Sequence, residues 1–218
     1  MPKKLTIEAL CDEARQFAEV ESKHAEPSLY GVTDGKAVGT YLEHKFRAFL
    51  TAKYTFTAGN SASGIDFPAM GVDMKVTSIK QPQSSCPFKS ARQKIFGLGY
   101  ALIVFVYNKS DNPQKHTGTL SIEHTIFVEK ERTADFQMTR GLRQILDNSG
   151  NEDDLVAFMT DKMLPVEDIE AHAIARELLG GADMQQGYLT ISNAQQWRLQ
   201  YTRIIAEAGA VEGIVKVR

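Results

Sequence analysis

Apolar residues recur at helical spacing over residues 5–20, where Leu5, Ile7, Leu10, Ala14, Phe17 and Ala18 share one side. The same period returns over residues 35–53, with Val38, Tyr41, Leu42, Phe46, Phe49 and Leu50 as the buried stripe. Residues 27–35 between them read as loop. Residues 54–58 predict a strand, residues 59–64 a small-residue flexible segment, and residues 72–79 a further strand, with Asp66 at the start or end of another. Residues 80–87 hold Pro82 and Pro87 among polar neighbours and read as loop. A helix is expected over 89–98. Residues 100–107 form a nearly unbroken apolar run, the pattern of a strand buried on both faces. A polar loop over 108–118 and a strand over 119–128, carrying Ile122, Ile126, Phe127 and Val128, complete this part.

Beyond about residue 135 the pattern turns helical, over 136–146, 153–164 and 166–179. Glu152, Asp153 and Asp154 suit the positive end of the second of these helices, and Gly180-Gly181 ends the third. Residues 187–191 read as a short strand. A last helix is expected over 193–208, capped by Ser192 or Asn193. Trp197, Tyr201, Ile204, Ile205 and Ala208 would form its core side, and Gln195, Gln196, Arg198, Gln200 and Arg203 a side that is either solvated or laid on DNA. These elements predict an α/β core over 1–135 and a mostly helical C-terminal subdomain over 136–218, serving DNA binding or dimerisation.

Composition narrows the class. At 218 residues, 43% hydrophobic and 24% charged, the chain has the make-up of an ordinary globular protein with enough length for a real core. No apolar run approaches the roughly 18 residues of a membrane span, and the N-terminus lacks a signal-peptide apolar stretch. Cys11 and Cys86 form no metal-type pair, so a reducing cytoplasm is the expected location. The net charge of −2 excludes a generally basic nucleic-acid coat protein. A DNA-binding role would need its cations clustered at a groove.

The candidate chemistry lies in Gly64-Ile65-Asp66-Phe67-Pro68-Ala69-Met70-Gly71-Val72-Asp73-Met74-Lys75-Val76. Acid-x-Lys occurs four times, at Glu21/Lys23, Asp34/Lys36, Glu43/Lys45 and Asp73/Lys75. Only the last has strand flanks and another aspartate just upstream. Residues two apart on a strand share a face, so Asp73 and Lys75 should point one way and Val72, Met74 and Val76 the other. Carboxylates gathered at a sheet edge suit a hard cation such as Mg2+. The plainer reading is a pair of solvated carboxylates with Lys75 as salt-bridge partner. Glu43 is the odd residue of its helix, about 60° from Phe46 and about 20° from Leu50 at ideal geometry. It points partly toward the core, either to serve the site or to pair with Arg47 at i+4.

A helix with an inward Glu43, then Asp66, then Asp73-Met74-Lys75, then a helix and a buried strand, resembles the PD-(D/E)xK nuclease superfamily, and within it type II restriction endonucleases. The resemblance covers residues 35–128. It implies a restriction-endonuclease-like core, a central mixed sheet flanked by helices. It also implies that Asp66, Asp73, Lys75 and Glu43 are catalytic and that Asp66, Asp73, Glu43 and the Met74 carbonyl hold Mg2+, with Mn2+ as a substitute. Ile65 stands where the motif has proline. Neither a His-x-Lys-x4-Asp phosphodiesterase signature nor His-Glu-x-x-His is present.

The segment after the motif, residues 77–94, carries Lys80, Lys89, Arg92 and Lys94 and no acid. Gln81, Gln83, Ser84, Ser85, Lys89 and Arg92 are its candidate DNA contacts, since Gln can bond adenine, Arg or Lys guanine, and cations the phosphates. The alternative is an ordinary polar loop. The expected protein is a Mg2+-dependent site-specific endonuclease of double-stranded DNA, a homodimer cutting both strands. A strand-nicking or repair endonuclease on the same core, or a DNA-binding protein that no longer uses it, are the alternatives.

Overall fold

The computed structural model describes residues 3–59, 64–86, 89–192 and 197–218. In chain order its elements are β1 (Lys3–Lys4), α1 (Ile7–Glu21), α2 (Gly35–Thr51), β2 (Tyr54–Thr55), β3 (Val72–Ser78), β4 (Gln83–Cys86), α3 (Gln93–Phe96) and β5 (Ala101–Asn112). There follow β6 (Thr117–Val128), α4 (Phe136–Asp147), α5 (Glu152–Asp161), α6 (Asp168–Leu179), β7 (Thr190–Ile191), β8 (Trp197–Gln200), α7 (Thr202–Glu207) and β9 (Ile214–Lys216).

The central sheet has the order β3-β5-β6-β9. β3 runs parallel to β5, and the β5/β6 and β6/β9 pairs are antiparallel, so the sheet is mixed. The apolar run of β5 divides by parity, as a strand buried on both sides must. Ile103, Phe105 and Tyr107 join one core with Leu10 and Phe17 of α1 and Leu42, Phe46 and Leu50 of α2. Leu102, Val104 and Val106 join another with Trp197, Leu199, Tyr201 and Ile204. Helices α4, α5 and α6 enclose a third apolar cluster built on Leu142, Leu155, Met159, Ile174 and Leu178. Asp34 caps α2 by accepting from the Lys36 N–H, and an Asn151/Asp154 capping box opens α5 above an acidic first turn. The central mixed sheet flanked by helices is the expected fold class.

Five local expectations need correction. The polar loop expected over 108–118 is mostly strand, since β5 continues to Asn112 and β6 begins at Thr117, with pairing out to Asn112 against Thr117. Residues 80–87 are not all loop, because Gln83–Cys86 form β4. The helix expected over 89–98 shrinks to Gln93–Phe96, since Gly97 and Gly99 both take φ +86° and end it. Asp66 sits at a bend rather than on a strand, next to an isolated bridge between Phe67 and Val72. The helix expected over 193–208 is instead β8 followed by the short α7; positions 193–196 of that expectation lie outside the described residues. Trp197-Arg198-Leu199-Gln200 alternates buried and exposed, the period of a strand. What decides for strand is pairing with β4, over a hundred residues upstream, which also joins β7 to give the small sheet β4-β8-β7. Strand β9, near the C-terminus, completes the central sheet along β6.

Candidate active site

β3 is an edge strand of the central sheet, so among the described residues one side of its backbone meets no second strand, only single bridges at its ends to Phe67 and Gln81. The chain reaches that edge through a tight reversal. A single 3-10 turn over Pro68–Met70 leads into Gly71, which takes the left-handed φ of +62° that a side chain would resist. Phe67 and Val72 then exchange backbone hydrogen bonds in both directions. This turn brings Asp66 back beside the strand, where its Oδ2 accepts the Met74 N–H at 2.9 Å. In extended backbone the N–H and C=O of one residue point the same way, so the Met74 carbonyl faces the same free edge. The seven-residue spacing from Asp66 to Asp73 is thus the length of one turn.

Asp73 and Lys75 share a face as the alternation requires, with Nζ 2.7 Å from Oδ2. Val72 and Met74 lie in the helix-covered core, with Val76 packed against it. Asp73 is not a solvated carboxylate, for only 4% of it is exposed. Apart from the Lys75 ion pair, its Oδ2 has no hydrogen-bond partner among the described residues. Burial pushes the Asp73 carboxyl up to about 6; the Lys75 charge opposes the shift and neighbouring Asp66 adds to it. Glu43 is raised for the same reasons, burial first and Asp66 second, with Lys75 and Arg47 opposing. Burial alone would lower Lys75, but the charge and hydrogen bond of Asp73 outweigh it and the net direction is upward. Lys75 is therefore held as an ammonium.

Arg47 pairs with Oδ1 of Asp66, not with Glu43 one turn back on its own helix. The helix face therefore contributes two residues to this edge, a carboxylate and a guanidinium. Among the described residues no three acidic, histidine or cysteine side chains converge as a ready-made cation cage. The donor set suits a different kind of site. Mg2+ is held through one or two carboxylates and keeps several waters; Asp66 and Asp73, with the Met74 carbonyl, supply that number. Asp73 and Glu43, crowded and partly desolvated with raised pKa, are also the arrangement a cation relieves.

The site opens into a cleft of about 1120 Å³. Glu43 and Lys75 line it together with Gln81, Gln83, Ser84 and Ser85. Lys36, Lys80 and Arg198 add cations to its wall, against the acid Asp34, while Lys109 there is ion-paired to Asp111. The clustered positive charge that a DNA role demands in a chain of net charge −2 is therefore present. It comes from scattered elements more than from the segment after the motif. Of that segment's cations only Lys80 lines the cleft. Arg92 is ion-paired to Glu170 and Glu177 of α6, Lys94 is 4% exposed, and Lys89 is exposed outside the cleft wall. Sequence reasoning missed Lys36 and Lys109 because nothing local marks them. It placed Arg198 on a helix face when it stands on β8.

A mixed sheet with a carboxylate-carboxylate-lysine edge facing a basic cleft defines a restriction-endonuclease-like protein. A family model described as type II restriction enzyme NspV matches residues 4–216. The type II restriction enzyme NspV of Nostoc sp. (strain ATCC 29411 / PCC 7524) is 66% identical over 213 residues, covering 98% of this chain and 96% of that one. The chain belongs to the NspV type II restriction enzyme family. No solved structure matches it significantly.

Proposed function

We propose that this protein hydrolyses phosphodiesters in double-stranded DNA at specific sites, with Asp66, Asp73 and the Met74 carbonyl holding Mg2+ and Glu43 reaching it through water. The observation that carries the reading is the edge of β3, where Asp66 accepts the Met74 N–H and Asp73 pairs with Lys75, which with Glu43 lines the cleft. A bound divalent cation supplies positive charge to the scissile phosphate and lowers the pKa of water. Mn2+, with the same preference for oxygen donors, would substitute. Lys75, paired with Asp73, orients the attacking water and stabilises the developing phosphate charge. The cleft cations hold the backbone phosphates. Gln81, Gln83 and Ser85 face the bound duplex, Ser84 at the cleft wall spends its hydroxyl on Tyr201, Lys89 serves at the margin and Arg92 as a strut to α6.

Cutting both strands needs two such edges, so the working unit is a homodimer related by a twofold axis, with the region over 136–218 serving DNA binding or the subunit contact. Cys11 and Cys86, neither in a disulfide, suit a reducing cytoplasm, and among the described residues no helix is long and apolar enough to cross a membrane.

Digestion of phage DNA with Mg2+ or with EDTA tests the reading. Discrete fragments that require Mg2+ and vanish in Asp73→Ala are expected. Nicked circles would instead indicate a single-strand cutter, retarded but intact DNA a binding module, and full activity of Asp73→Ala would remove the site assignment. Sedimentation in the presence and absence of a cleavable duplex checks the dimer.

A further inference from the structure

The small sheet β4-β8-β7 has two unlike faces. Across β4 and β8, Ser84 opposes Leu199 and Cys86 opposes Trp197. Cys86, Trp197 and Leu199 are buried in the core against the central sheet, and Ser84 is hydrogen-bonded from that side to the hydroxyl of fully buried Tyr201. The other parity faces outward. Gln83 opposes Gln200, which opposes Thr190, and Ser85 opposes Arg198. Ser192 continues the second row, its Oγ accepting the Arg198 N–H at 3.0 Å and its own N–H donating to the Arg198 carbonyl. Among the described residues the outward face therefore consists of two parallel rows, Gln83-Gln200-Thr190 and Ser85-Arg198-Ser192, with no acid and no apolar side chain larger than the threonine methyl.

Such a face is not built to fold onto protein. Its inner side is anchored by two of the largest fully buried side chains, Trp197 and Tyr201. Arg198 and Gln200 are exposed on the central strand. Gln83, Ser85 and Arg198 also line the cleft that holds Glu43 and Lys75, so the face is continuous with the catalytic edge. A β-ribbon fits the major groove, about 12 Å wide, when strands are spaced about 4.8 Å apart. Glutamine can pair bidentately with adenine and arginine with guanine there.

We propose that the outward face of β4-β8-β7 is the base-reading surface of this enzyme, with Arg198 and Gln200 as its specificity-determining residues and Gln83 and Ser85 as their cross-strand partners. Arg198 reads a guanine, and the Gln83/Gln200 rung reads an adenine on the neighbouring step. The proposal rests on the cleft being the DNA site, as proposed above, and adds which surface distinguishes one sequence from another. The short ribbon is rigid because its inner side is core, and rigidity is what a bidentate base contact requires.

The test begins with sequencing the ends of fragments cut by the wild-type protein, which gives the recognition site. Duplexes with each base pair of that site replaced in turn are then compared for cleavage rate, and for binding in Ca2+ by fluorescence anisotropy, in wild type, Arg198→Ala, Arg198→Lys and Gln200→Ala. In Arg198→Ala the discrimination at one G·C pair per half-site should fall about ten- to a hundredfold, with the other positions unchanged. Arg198→Lys, which keeps the charge but not the fork, should not restore it. Gln200→Ala should relax an adjacent A·T pair in the same way. Uniform weakening across all duplexes that Arg198→Lys restores would mark a phosphate contact and overturn the proposal. So would an unchanged discrimination profile, or a change of oligomeric state in these variants. Wild-type cleavage that is lost in Asp73→Ala alongside an unchanged Arg198→Ala profile would sink this inference alone. Absence of any wild-type cleavage would sink the nuclease reading itself.

Discussion

The edge of β3 and the outer face of β4-β8-β7 stand on one cleft but are made in opposite ways. The β3 edge is assembled within a dozen residues by one turn, with a glycine at the left-handed position and an aspartate bonded to the strand it precedes. The small sheet is assembled from segments over a hundred residues apart, and none of its strands exceeds four residues. Chemistry common to a large class of enzymes can be carried by a compact local motif, because every member needs the same few atoms in the same places. Recognition must differ from enzyme to enzyme, and here it falls to short strands whose only fixed requirement is an apolar inner side. Mutations should therefore separate the two regions cleanly.

The largest separation is expected at Lys75. Its side chain is mostly buried and held by Asp73. Lys75→Met keeps the stem and removes the ammonium. Cleavage should fall by about a thousandfold, the scale of losing one preorganised charge at a reacting phosphate. The ranking of duplexes by binding in Ca2+ should not change. A single-turnover assay beside an anisotropy titration reads both. A reordered ranking would mean that the two regions are not independent.

Trp197 approaches the comparison from the other side. It is 1% exposed and anchors β8. Trp197→Ala should cost about 3–5 kcal/mol of stability, as large-to-small changes in a core do. Its effect should concentrate on the recognition sheet. At a temperature where most of the protein remains folded, hydrogen exchange should rise first in β4 and β8, and site selectivity should drop before Mg2+-dependent cutting of mixed-sequence DNA does. Exchange that rises equally in β5 would show that the small sheet and the central sheet unfold as one unit.

How much of this was legible follows from the same contrast. The strand alternation around Asp73-Met74-Lys75 is a period of two read directly from neighbours, and the structure keeps it. The unbroken run of β5 is equally direct. Trp197-Arg198-Leu199-Gln200 carries the same period of two, but over only four residues, and the apolar residues beyond it, Tyr201, Ile204 and Ile205, complete a helical pattern as well. A short alternation cannot outweigh a longer period without its partner strand, and β4 was itself hidden between prolines in a segment rich in polar residues. The basic wall was illegible for a related reason. Lys36 follows a helix cap, Lys109 lies on β5 and Arg198 on β8, and only the folded topology brings them together. Conversely, the sequence-local basic residues Arg92 and Lys94 were drawn elsewhere, one to the carboxylates of α6 and one into the interior.

Arg47 marks where even the local motif misleads, and it gives the smallest expected effect. Spacing on α2 suggests an i+4 pair with Glu43, yet the guanidinium takes Asp66 Oδ1 instead. Asp66 is the less buried partner's target, with side-chain exposures of 31% for Arg47 and 15% for Asp66, so the pair is partly screened and worth on the order of 1 kcal/mol or less. A cation that uses Asp66 must compete with this contact. Arg47→Ala should therefore tighten Mg2+ binding in the absence of DNA by about two- to fivefold, measured by calorimetry, while Asp66→Asn abolishes the difference between the two backgrounds. Weaker Mg2+ binding in Arg47→Ala would show that the guanidinium holds Asp66 in its binding position rather than occupying it. In that case the β3 edge, too, would depend on a residue that its own turn does not supply.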